Sequence, residues 1–125
     1  MPFDWNDFLL LAEELANRND TASKRTAISR AYYSILNIAI ARVKAVGGQP
    51  PNENTHNWCW QKYNAGPDPA CIQLGITGQR IKAKRVRADY ETADFTNLEQ
   101  EVQRVLLEAK KFLRDITALN PRYPL

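Results

Sequence analysis

Histidine is nearly missing from this chain: the 125 residues hold one, His56. A lone imidazole leaves no Ser-His-Asp ordering to argue for and no His-rich metal centre. Cysteine is scarce too, with Cys59 and Cys71 alone. Two thiols cannot staple a small secreted scaffold, and with no secretion signal both are expected to be reduced. Together with His56 they offer three zinc ligands at unhelpful spacing, so neither a metal nor a cofactor is expected. Long hydrophobic runs are absent as well. The longest apolar run of the acidic first stretch, "MPFDWNDFLLLAEEL", is Phe8 to Ala12, too short for a usual signal peptide or a membrane span. A cytoplasmic, non-membrane protein is the expectation. The one glycine-bracketed stretch, "GITG", lacks the lysine and the preceding strand of a phosphate loop. No repeat, low-complexity tract or clear strand pattern occurs, which leaves helices.

What is present is helical periodicity and segregated charge. A chain of 125 residues with 25% charged content suits one globular domain, residues 1–125. Residues 21–50 hold five cations and no acid; "RIKAKRVR", residues 80–87, holds five more, and residues 88–101 then hold five acids and no cation. Such segregation can mark an anion-binding face. In the first helix Trp5, Phe8, Leu9, Ala12, Leu15 and Ala16 share a face, with Asp4 as its N-cap. A second runs from about Thr21 to Val46 and stops at "GGQPPN". The stretch "NTHNWCWQKY" predicts a short helix capped by Asn54 or Thr55, with Trp60 and Tyr63 inward, and "NAGPDPA" a turn. From Cys71 to Tyr90 the apolar positions Ile72, Ile76, Ala83, Val86 and Tyr90 predict a helix weakened by Gly75 and Gly78. The last, Thr96 to Leu119, opens on the capping box Thr96/Glu99 and carries the stripe Leu98, Val102, Val105, Ala109, Phe112, Ile116, Leu119. The expected fold is all-α: an antiparallel bundle of four to five helices.

The second helix is apolar almost all round and should lie centrally. Its polar seam is Thr26, Arg30, Ser34, Asn37 and Lys44. A guanidinium on such a seam must be paired, because stranding a buried charge costs roughly 3–5 kcal/mol. The stretch with matching chemistry is "RVRADYE", where Asp89 follows a dense cationic run. An Arg30–Asp89 pair flanked by Tyr32 or Tyr33 and Tyr90 is therefore expected.

These stretches carry a resemblance. "AISRAYYSILNIAIA", then "TH" opening an aromatic helix, then "RVRADYE" before a final amphipathic helix, resemble the HEPN superfamily. More narrowly they are similar to its small stand-alone bacterial members with S-R-A-Y-Y and R-x-x-A-D-Y signatures. The resemblance implies a helical bundle, often a homodimer, belonging to a prokaryotic toxin–antitoxin or defence system beside a nucleotidyltransferase. It also implies association with RNA or nucleotides, and in active members metal-independent ribonuclease chemistry.

That chemistry goes with an Arg, four to six residues, then a His. Upstream of His56 the required positions hold Gln49, Pro50 and Pro51; Arg85 leads to Tyr90, and Arg30 to Asn37. Every placement loses the imidazole, and a tyrosine near its reference pKa of about 10 is a poor base. Weak or absent cleavage is expected. The residues that would carry any catalysis are His56, Arg85 and Tyr90. The candidate binding residues are Arg30, Tyr33, Asn37, Arg80, Lys84, Arg87 and Asp89. A ribonuclease with a variant site and a purely interacting, non-catalytic dimer are the rival readings.

Overall fold

The chain folds as five helices: α1 Asn6–Ala16, α2 Thr21–Ala45, α3 Thr55–Asn64, α4 Pro69–Tyr90 and α5 Leu98–Ala118. The structure, a computed structural model, describes residues 2–125, and no strand occurs among them. None of the helices is long and apolar enough to cross a membrane. All five contribute to one buried cluster. Helix α2 runs through its middle, touching each of the other four, as its nearly all-round apolar surface demands.

Side-chain caps start two of the five helices. Asp20 accepts the Ser23 amide at 2.8 Å to start α2, and Asp68 accepts the Cys71 amide at 3.1 Å with Pro69 first in α4. Helix α4 therefore begins inside the stretch that reads as a turn. Asp4 lies one residue before the capping position of α1, yet its carboxylate still accepts the Asn6 amide at 2.9 Å. The Thr96/Glu99 box does not form. Asn97 enters α5 in the left-handed region, φ 61°, and no side chain caps the helix. Along α5 the predicted stripe is buried from Val102 to Leu119, with Leu98 half-covered.

Helix α4 is turned differently from its apolar pattern. Ile72, Ile76, Val86 and Tyr90 are 40–70% exposed, and Ala83 is exposed beside them. Gly75, Gly78, Ile81 and Arg85 face inward instead. The reason is the close approach of α3. A Cβ on Gly78 would collide with the Trp60 ring, and one on Gly75 with the Asn64 side chain. The glycines that weaken α4 as an isolated helix are what admit Trp60, fully buried, to the core.

Candidate phosphate site at the α3 N-terminus

Two arginines unremarked in the sequence hold the frame around the site. Arg25 on α2 donates to the Ala88, Glu91 and Ala93 carbonyls at 3.3, 2.7 and 3.1 Å, tying down the end of α4. Arg42 donates to the Ile116, Leu119, Asn120 and Tyr123 carbonyls at 2.7–3.1 Å beyond α5. Helix C-termini leave carbonyls unpaired, and a guanidinium fork satisfies several at once.

Arg30 does not meet Asp89. It stands over the Phe8 and Tyr33 rings at 4.8 and 5.2 Å, on the side of α2 that faces α1, and is half-exposed there. One residue back, about 100° round the helix, Ser29 faces α4 and donates to Asp89 at 3.3 Å. The arginine that pairs with Asp89 is its i−4 neighbour Arg85, at 3.4 Å. The spacing within R-x-x-A-D is thus that of a pair on one helix face.

Arg85 is the chemically exceptional group. It is 8% exposed, and among the described residues its Nε has no hydrogen-bond partner and its one ion pair is long. Its guanidinium carbon lies 5.5 Å from the centroids of both Tyr32 and Tyr33, and 5.9 Å from Tyr90. Arg85 also lines an open depression of about 480 Å³ shared with His56, Lys82, Thr55, Asn57 and the residues leading into α3. Asn54 begins α3 at φ 58° and makes no side-chain capping bond, so the first-turn amides of α3 are free for an outside acceptor. Glu53, exposed, is the one carboxylate on the rim.

His56 is fixed from behind. Its Nδ1 is 2.9 Å from the Tyr32 hydroxyl, which accepts the Trp60 indole N–H at 3.2 Å. Tyr33 meets its ring edge-on, centroids 5.9 Å apart. Burial, with Arg85 and Lys82 nearby, holds the imidazole below its usual pKa, and burial pushes the Tyr32 phenol well above its own. Thus the "TH" histidine and Arg85, far apart in sequence, line one cavity, the first bonded to Tyr32 and the second paired with Asp89, which also takes the Ser29 hydroxyl. Lys82, which no motif singles out, completes it, donating to Asn57 at 2.8 Å.

The other candidates lie elsewhere. Arg80 is paired with Glu108 at 3.1 Å and Lys84 with Glu101 at 2.8 Å, both on the α5 side. Arg87 stacks on Phe95 at 4.0 Å. Asn37 donates to the Tyr33 carbonyl of its own helix at 2.8 Å, and Tyr90 is 70% exposed at the rim of the Arg85 cluster. A groove of about 540 Å³ between α4 and α5 is larger, but Leu74, Phe112 and Leu119 line it and its charges are surface ion pairs. Both cysteines are free and buried, and burial raises the Cys59 thiol to about 12. Among the described residues no three His, Cys, Asp or Glu side chains cluster as metal ligands would. No protein-family model, curated protein or solved structure matches the chain.

Proposed function

We propose that this chain is an HEPN-like, RNA-binding component of a prokaryotic toxin–antitoxin or defence pair that grips a phosphate of its RNA at the α3 N-terminus. The observation that carries this reading is Arg85. A guanidinium nine-tenths buried, with a bare Nε and one long ion pair, is costly unless something else is meant to meet it. Around it stand Lys82, His56 and the free amides of α3, a set suited to a phosphate. The shared position of the two signature stretches favours the family resemblance over a chance match. Cytoplasmic location and a nucleotidyltransferase partner follow from that resemblance. A homodimer is favoured by the exposed stripe Ile72, Ile76, Ala83, Val86, Tyr90, whose spacing of four, seven, three and four residues lays one apolar face along α4.

The test is binding of a short single-stranded RNA. Affinity should fall steeply with salt through counterion release. It should also fall at least about tenfold in Arg85→Met, the worth of one charge-assisted contact, and far less in Arg80→Ala, whose guanidinium already has Glu108. Equal binding by wild type and Arg85→Met would refute the assignment. Competition by a mononucleotide as effective as RNA would shift the ligand to free nucleotides.

A further inference from the structure

The bonding order behind His56 decides which of its nitrogens carries the proton. An indole N–H can only donate, so at 3.2 Å the Tyr32 oxygen is the acceptor. Tyr32 is fully buried, and among the described residues its hydroxyl has no hydrogen-bond partner besides Trp60 and His56. Its proton must therefore go to His56 Nδ1, 2.9 Å away, or remain buried and unpaired. Nδ1 is then bare, and the neutral ring keeps its hydrogen on Nε2. The opposite tautomer would aim Nδ1–H at the phenol oxygen and leave the phenol proton stranded, and the doubly protonated ring would do the same. The charged and titratable groups around the ring are Lys82 and Arg85 on α4, Tyr32 and Tyr33 on α2, Cys59 on α3 itself, and Glu53 on the rim.

We propose that Tyr32, held by Trp60, is a positioning residue that locks His56 as the Nε2–H tautomer, so that the imidazole joins Arg85, Lys82 and the α3 amides as a donor to a phosphate oxygen. Imidazole, guanidinium, ammonium and helix amides then all present hydrogens and no lone pair. Such a site can hold an RNA phosphate, but its imidazole is turned away from taking the proton of a ribose 2′-hydroxyl, which cleavage without a metal requires, and the one carboxylate on the rim, Glu53, is exposed to water. His56 therefore binds RNA there without serving as the base of its cleavage. The ligand in this inference rests on the phosphate reading above; the tautomer does not.

The two can be tested apart. In the full chain labelled with ¹⁵N-histidine, long-range ¹H–¹⁵N correlation spectra at neutral pH should show His56 with a bare Nδ1 and a protonated Nε2. In Tyr32→Phe the pattern should move toward a mixture of tautomers. Titration with inorganic sulfate, which stays ionised, should perturb Nε2 in the wild type, and Tyr32→Phe should weaken sulfate about tenfold with Arg85 untouched. A protonated Nδ1 in the wild type overturns the proposal even if the variants fail to fold. So does RNA cleavage by the purified wild type that disappears in His56→Ala. A wild type with the expected tautomer that ignores sulfate would instead remove the phosphate reading and leave the lock standing.

Discussion

Replacing Arg85 by methionine should weaken RNA binding at least about tenfold and yet leave the domain as stable as before or more so. The guanidinium is held out of water, its side chain 9% exposed, by one 3.4 Å ion pair and three aromatic rings at 5.5–5.9 Å. Exchanging buried ion pairs for apolar side chains is often neutral or stabilising by about 1–4 kcal/mol. Removing one partner is expensive when the other is left buried. Asp89 escapes that penalty, because its side chain is 29% exposed and keeps the Ser29 hydroxyl. The lost ring contacts offset the gain by roughly 0.5–1 kcal/mol each, at centroid distances of 5.5–5.9 Å, while the flexible thioether fills the vacated volume. The expected balance is a gain of about 1 kcal/mol or no change. Urea unfolding followed by tryptophan fluorescence would read it as a shifted midpoint at constant slope. A loss of more than about 2 kcal/mol, beyond what stranding a half-solvated aspartate can supply, would show that Arg85 is a structural clamp and that the functional reading is misplaced.

The two framing arginines should behave in the opposite way. Arg42→Met strands four carbonyl contacts and should cost about 3 kcal/mol, checked by the same unfolding curves. Gly78→Ala gains about 1 kcal/mol of helix propensity but should lose more than that to overpacking, typically about 1–3 kcal/mol. Trp60 cannot retreat between Tyr32, Tyr63 and Phe112, so the midpoint should fall and the fluorescence of its indole should change. His56 titrates below 6.5 in the folded chain, so the unfolded chain binds its proton first. Its contribution to stability is complete above that pH and declines as pH falls through it. The corresponding slope should vanish in His56→Gln, as measured by unfolding midpoints across that range.

Long elements were the legible ones. Helices α2 and α5 are periodic over many turns, and their bounds follow within a residue or two from that periodicity and from breakers. The short link into α4 was harder to read, because Asp68 and Pro69 serve equally well as turn residues and as a helix start. The Thr96/Glu99 box misled because a side-chain cap needs an extended residue at the cap, and the chain enters α5 through a left-handed Asn97. The residues of the site were mostly visible as motifs: Tyr33, His56, Arg85 and Asp89. Their pairing was not. Lys82 stood among five cations with nothing to distinguish it until Asn57 and the cavity did.

Sequence by itself determined that the chain is helical, that α2 lies at the centre, and that no arginine stands before its one histidine with four to six residues between them. Those properties depend on composition and on distances along the chain. Tertiary structure alone decided which face of α4 turns inward, because that depends on Gly78 meeting Trp60 and Gly75 meeting Asn64, both from another helix. The same rotation carries Arg85 inside, leaves Ile72, Ile76 and Val86 outside, and puts Ser29 rather than Arg30 opposite Asp89. A turn of about 100° per residue makes neighbours in sequence strangers in space. Which of two adjacent side chains meets a partner is therefore settled only when the helices pack.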